Sequence, residues 1–398
     1  MSRIPVPALW LIVLIVGLPQ LSETVYTPAL PDIARALMTS DAMAEYTLTI
    51  YLAGFALGTL FWGRVSDNYG RKPCLLIGLA LYLLGCVGCY TSTSIEMLML
   101  SRLLQSFGGS VGSVLGQAIC RDAFHGQALG KMYSIIGTAL AIFPAIGPTI
   151  GGLIDQNFGW HAIFLFLILF GIIVWLCALS KLEETHPAAS RSPASLLNTA
   201  KRMIKDRHVL ILGFIVAGGN GIAFSYYAEG PFFMIEMLGL SPSHYGNTFL
   251  IMSGMGIAGG LLSRWLHNYR SSEDILHYGL WILLTTMIVF VGCIGASSFI
   301  AIPREFLIGF TVFIMALTGI GLSLTLANAL AIALQEYHQV IGTASSLFGF
   351  AYYAVISLFT FGMGYLHNDT LYPMPLYFLG IAIAMKVSFA KKSKAQSL

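Results

Sequence analysis

The sequence predicts an all-α integral membrane protein: twelve membrane-spanning helices in two six-helix bundles related by a pseudo-twofold axis. Three observations carry that prediction. The first is composition: 57% of the 398 residues are hydrophobic and 10% charged, with a mean hydropathy of +0.78. Soluble domains run near ~45–50% apolar and ~25% charged. The second is patterning, because the apolar residues fall into twelve runs, each long enough to supply the ~20 residues that cross a bilayer. The third is an uneven placement of basic residues between alternate connections. Composition sets aside a soluble enzyme, a disordered chain and a secreted disulfide scaffold. The net charge of +3 is too small and scattered for a nucleic-acid-binding face.

In chain order the runs cover about 8–31, 44–63, 73–92, 95–120, 130–154, 160–181, 207–237, 244–266, 275–299, 304–330, 340–366 and 371–389. They lack the period-two alternation of a membrane barrel strand. The first follows Arg3, but no small-residue cleavage site follows it and Pro19 and Glu23 interrupt it, so it reads as a span. The six cysteines lie in apolar runs or at their ends. Cys86 and Cys89 form a C-x-x-C with no partner pair, which reads as small apolar side chains and not as a metal or redox site.

Orientation follows from the 21 lysines and arginines. With the N-terminus inside, eighteen fall on inner connections or the tail; only Arg35 and Arg304 fall outside, and Arg102 lies within a span. Both termini are then cytoplasmic. An odd span count would scramble this tally.

One long polar connection interrupts the pattern. It divides the chain into a first bundle (1–181), a cytoplasmic linker (182–206) and a second bundle (207–398). Within the linker, Ser192 and Pro193 mark a helix start. Leu196, Leu197, Ala200, Met203 and Ile204 then share one face opposite Lys201, Arg202 and Lys205, as in a helix lying on a membrane surface. Six spans, a linker and six more is the layout of a parallel-repeat transporter. A faint repeat agrees with it: GRVSDNYGRKP (Gly63 to Pro73) and GLLSRWLHNYR (Gly260 to Arg270) occupy matching connections.

Charges inside a bilayer cost ~2.5–3.5 kcal/mol each even on insertion scales, so function is the default reading for them. Glu23, Arg102 and Glu229 are the candidates; Asp155 and Glu236 lie near enough to the outside to be interfacial. His161, beside Trp160, also reads as interfacial. Desolvation favours the neutral form of Glu23 and a nearby Arg102 opposes it. A static Glu23–Arg102 ion pair is the structural alternative.

In the connection after span two, Asp67 stands among Arg64, Arg71 and Lys72, a setting for charge-assisted hydrogen bonds, and Gly70 suits the tight reversal. Asp122 is a further partner for Arg71. In span five, Gly147, Gly151 and Gly152 remove bulk and Pro148 a backbone donor. Tyr26, Tyr51, Gln105, Gln117, Asn220, Tyr226, Tyr227 and Asn328 are candidate cavity residues, each with a packing alternative.

GRVSDNYGRKP resembles the signature loop of the major facilitator superfamily, between the second and third spans. LPQLSETVYTPALPDIA (Leu18 to Ala34), RLLQSFGGSVG (Arg102 to Gly112), AIGPTIGG (Ala145 to Gly152) and GPFFMIEMLGLSP (Gly230 to Pro242) resemble motifs of its twelve-span drug:proton antiporters, in particular the Bcr/CflA group. Ser106, Thr59 and Thr24 depart from those patterns. The resemblance implies that Gly63, Asp67, Gly70, Arg71, Lys72 and Asp122 form a gate latching the halves on the cytoplasmic side. It implies that Gly147, Pro148, Gly151 and Gly152 seal the cavity against leak, and that Glu23, Arg102 and Glu229 serve proton coupling.

The expected function is proton-coupled export of small lipophilic or cationic compounds from a bacterial inner membrane, by a monomer using the proton gradient, without metal or cofactor. Dedicated export of an endogenous siderophore, peptide or amino acid is the rival, and a non-transporting receptor or scaffold a second. No P-loop, H-E-x-x-H or G-x-S-x-G occurs, which leaves an ATP-driven pump or an intramembrane hydrolase without its reacting groups.

Overall fold

The computed structural model describes residues 7–186 and 196–396. Its helices are α1 (Leu9–Thr24), α2 (Leu30–Ala36), α3 (Asp41–Tyr69), α4 (Arg71–Tyr90), α5 (Ile95–Ala123), α6 (Gly126–Phe158) and α7 (Trp160–Lys181), then α8 (Leu196–Lys205). The second set comprises α9 (Arg207–Pro231), α10 (Pro242–Leu266), α11 (Ser272–Ala296), α12 (Arg304–Ala333), α13 (Ile341–Leu366) and α14 (Pro373–Gln396).

Each expected span has its helix, with one broken in two. The first run divides into α1 and α2 around a short 3-10 turn, Thr27–Ala29, where Pro28 and Pro31 withdraw backbone donors. The seventh continues from α9 into a π-helical turn, Phe232–Met237, just after Pro231. Polar residues set the starts. Ser40, Ser94, Asp206, Ser241 and Ser271 each accept a hydrogen bond from a first-turn N–H. Gly70 alone separates α3 from α4, at φ 101°, where a side chain would be strained.

Among the described residues eleven helices are long and apolar enough to cross a membrane. The remaining one of spanning length is α5, about 44 Å long at ~1.5 Å per residue. It carries Arg102, Gln105, Ser106, Ser110 and Ser113, all buried. Helices α1, α3 and α4 pack around it, so its polar groups face protein instead of lipid.

Helices α1 to α7 share one apolar core (Leu11, Ile15, Leu48, Leu79, Leu115 and Phe164 among others). Helices α9 to α14 share another, around Leu212, Leu283, Phe290 and Phe378. The two sets meet along α3 against α13 and α6 against α10. Polar contacts cross that seam at the end opposite the basic connections, here termed the far end. Thr49 donates to Thr360 at 3.0 Å, Ser357 to the Thr49 carbonyl at 3.0 Å, and Thr149 to the Gly246 carbonyl at 3.0 Å. Arg35, paired with Asp32, also reaches Glu236 at 2.6 Å.

The start signal at Ser192 and Pro193 lies outside the described residues. The face assigned to α8 divides: Met203 packs into the second core at 7% exposure, whereas Leu197 and Ile204 stay exposed. Arg202 stacks over Tyr337 at 4.7 Å. Asp155, expected at the interface, is 3% exposed, beside Asp32 and Arg35. His161 is exposed and stacks on Trp160.

Candidate functional site

The break after α1 sets up the central site. Thr24 donates to the Gln20 carbonyl at 3.1 Å and Thr27 to the Thr24 carbonyl at 2.9 Å, satisfying groups that the interrupted helix leaves over. Glu23 sits in this last turn at 1% exposure, and its Oε2 has no hydrogen-bond partner.

Arg102 of α5 is fully buried nearby. Its guanidinium lies between the rings of Tyr26, 3.8 Å away, and Tyr51, 4.1 Å away. It donates to Gln105 Oε1 at 2.6 Å and to the Ser22 carbonyl at 3.3 Å. Gln105 in turn donates to Cys86 Sγ at 3.1 Å and accepts from Cys89 at 3.8 Å. The C-x-x-C is thus two free thiols bracing the amide that holds Arg102. The structure shows no direct Glu23–Arg102 hydrogen bond: Nη1 of the guanidinium is taken by Gln105 and the Ser22 carbonyl, while Nε and Nη2 are buried without a partner. Tyr51, Tyr227, Tyr352 and Tyr353 lie within electrostatic reach of Glu23, three of them from the second bundle.

Other expected cavity residues have different employment. Tyr227 is half-buried, stacked on Phe249 at 4.8 Å, and donates to the Pro144 carbonyl across the seam at 3.3 Å. Tyr226 packs on Tyr245 and Phe249 inside the second bundle. Asn328 is also interior there, donating to Ser263 Oγ at 3.0 Å, and so stands off a cavity wall. Asn220 bonds its own helix at the Val216 carbonyl, and Gln117 is exposed.

Glu229 belongs to a second cluster of titratable groups. His367, in the connection after α13, places Nδ1 2.9 Å from Glu229 Oε2 and 3.5 Å from Glu45 Oε1. Its Nε2 lies 3.1 Å from Asp369 and 3.6 Å from Asp41. Burial opposes charge on the imidazole, but bonds to Asp41 and Glu229 outweigh it and push His367 up to about 10. The sequence reading missed Glu45 and His367. Glu45 carried a signal, since it falls inside the run 44–63; His367 sits in a polar connection and carried none.

At the basic end, Arg71 joins three elements. It donates to Asp67 at 2.6 Å, Ser66 at 2.7 Å and Asp122 at 2.9 Å. Glu184 accepts from the backbone N–H groups of Arg71, 2.9 Å, and Lys72, 3.2 Å, a carboxylate at the start of α4 that the sequence reading had not included. These partners all belong to the first bundle or its exit. The second bundle approaches at Gly63, where an added Cβ would sit 3.4 Å from Ser346 Oγ of α13.

The glycines of α6 face two ways. A Cβ at Gly147 or Gly151 would overlap Thr24 or the Val25 carbonyl, at the α1 break. One at Gly152 would overlap the Pro242 carbonyl of the second bundle, and the Pro148 carbonyl faces Gly246. The motif therefore lies where the α1 break and both bundles meet.

Two helical bundles, joined along a seam and holding buried charge beside it, have the architecture of a membrane transporter and not an enzyme. Residues 12–360 match the family model described as Major Facilitator Superfamily. The chain belongs to the major facilitator superfamily. It is 34% identical over 391 residues to an uncharacterized transporter of Rickettsia bellii, covering 96% of each chain. It is 28% identical over 384 residues to the bicyclomycin resistance protein homolog of Haemophilus influenzae, covering 93% of this chain and 92% of that one. Its fold is similar to the partially occluded inward-open conformation of the xylose transporter XylE from E. coli, with a TM-score of 0.74 at 10% identity over 96% of this chain and 97% of that one.

Proposed function

We propose that the chain is a monomeric proton-coupled antiporter of a bacterial inner membrane, exporting small lipophilic or cationic compounds by alternating access, with both termini cytoplasmic. The observation that carries this is Glu23: a fully enclosed carboxylate with an unpartnered oxygen, surrounded by tyrosines from both bundles. A buried charge of that kind takes up a proton or a cation. Aromatic walls with few fixed polar groups suit varied lipophilic cargo. Arg102, whose Nε and Nη2 have no partner although Tyr26 and Tyr51 cover its faces, is the feature that would favour the rival reading, an anionic metabolite. The printed name of the Haemophilus relative, a resistance protein, agrees with drug export.

The polar seam at the far end corresponds to closure on the outside, so the structure is read as inward-facing. Proteoliposomes under an imposed pH gradient test the reading. Fluorescent cationic dyes should accumulate only when the gradient has the antiport sign, and a protonophore should stop them. Dye movement indifferent to the protonophore, or transport confined to metabolites, would count against it.

The Arg71 cluster serves as the inner gate in this scheme. Asp67 is half-exposed, so its pair with Arg71 adds only ~0–1 kcal/mol of stability. Asp67→Asn should accordingly insert and fold, yet lower turnover by about tenfold while substrate affinity changes little. Stopped-flow transport beside equilibrium binding checks this; unchanged turnover would remove the gate assignment.

A further inference from the structure

At the far end of the seam, Glu45 of α3 is fully buried and neither of its carboxylate oxygens makes a hydrogen bond. It belongs to the first bundle. The groups closest to it, Glu229 and His367, belong to the second. The Glu45 and Glu229 carboxylates and the His367 ring nitrogen lie within 4.8 Å of one another. The remaining titratable groups facing the cluster are Asp41 from α3, Asp369 from the connection after α13, and the phenols of Tyr46 on α3 and Tyr245 on α10. Among the described residues no lysine or arginine pairs with it. Phe232 packs edge-on against the imidazole, and Gly364 of α13 admits Glu45 and Tyr46.

Charge balance dictates the rest. Two carboxylates cannot both be buried ionised beside one imidazole, even when that imidazole is charged. A charged His367 balances one carboxylate, and the other must carry a proton. We propose that Glu45, Glu229 and His367 form a second proton-binding site, which takes up a proton as the far end closes and releases it as the far end opens. Opening withdraws α3, leaving Glu45 in water while His367 stays beside Glu229. The titrating group is therefore Glu45. His367, pushed up to about 10, stays charged through neutral pH and supplies the constant cation.

The sign follows from linkage. The closed far end binds more protons than the open one, so its population falls as pH rises, by up to about tenfold per pH unit for one proton. His367 keeps Glu229 as its partner in both states, so it stays charged below about 10 and the pH dependence of closure is carried by Glu45. The proposal deepens the antiport reading, but its test reads conformation, not transport.

Spin labels at Met38→Cys and Phe299→Cys, sites that are 94% and 91% exposed in far-end connections of the two bundles, report the closure. Cys177 and Cys293, the cysteines that are not fully buried, are replaced by alanine. Distances between the labels are measured by double electron–electron resonance in nanodiscs, from about pH 6 to about pH 9. Wild-type protein should move from a short to a long separation as pH rises. Glu45→Gln, which imitates the protonated carboxyl, should hold the short separation across the range. His367→Gln leaves two carboxylates without a cation, so closure needs another proton and the transition should move down by about one pH unit or more. If His367→Gln does not insert, Glu45→Gln decides alone. A wild-type curve in Glu45→Gln overturns the proposal. Glu23→Gln separates the two readings: it should keep the wild-type distance curve even though gradient-driven export is lost.

Discussion

Glu23→Gln is expected to reduce export driven by a pH gradient by about a hundredfold, while the protein still inserts and folds. The substitution keeps the size and hydrogen-bonding shape of a protonated carboxyl. Little hydrogen bonding depends on a negative charge there, because Oε2 has no partner. Downhill movement of a neutral lipophilic substrate should survive, since the tyrosines around the site are untouched. Coupling should not, because the site can no longer alternate between a proton and a cation. Transport assayed in liposomes with and without a gradient checks both halves of the expectation. If Glu23→Gln exports with an unchanged pH dependence, the coupling proton resides elsewhere.

The second large effect comes from two neighbouring glycines of α6 that should fail differently. A Cβ at Gly151 runs into the Val25 carbonyl, which belongs to the same bundle and to the α1 break that positions Glu23. Backbone cannot yield as a side-chain tip does, so Gly151→Leu should lose ~1–3 kcal/mol or more and lower the melting temperature in detergent. A Cβ at Gly152 meets the Pro242 carbonyl, across the seam. The bundles can relieve that clash by parting at the far end. Gly152→Leu should therefore retain most of its thermal stability and hold the far end open, with the Met38–Phe299 label separation long at every pH. Equal destabilisation by both substitutions would show that the two glycines share one packing role.

The chain's architecture was legible wherever lipid imposed it. Span six was read as 160–181 and α7 is Trp160–Lys181, because a strongly apolar helix starting just after a glycine has plain edges. Edges blurred where polar residues carry a helix past the apolar run: α3 begins at Asp41 and continues to Tyr69, well beyond 44–63. The break between α1 and α2 was signalled by prolines but hidden by continuous hydrophobicity. Candidate site residues were legible as costly charges, which pointed to Glu23, Arg102 and Glu229, all three buried. Their partners were not. No spacing along the chain shows that Arg102 is held between two tyrosines, or that Glu229 meets a histidine 138 residues later. Such pairings are settled by tertiary geometry between helices that are remote in sequence. Tyr226 and Asn328 show the converse, since polarity within a span marks an interior position without saying which interior.

The enclosure of α5 bears on how the chain is made. A nascent helix leaves the insertion machinery into lipid one segment at a time, and a central arginine there costs ~2.5–3.5 kcal/mol on the insertion scale. With its serines and glutamine as well, α5 has no favourable lipid-exposed state of its own. The helices that wrap it, α1, α3 and α4, all precede it in the chain. They are already synthesised when α5 emerges and can receive it directly, Tyr26 and Tyr51 waiting for the guanidinium. Synthesis in this order makes the first four spans a single unit of biogenesis, and α5, with its buried arginine, is its last and dependent member.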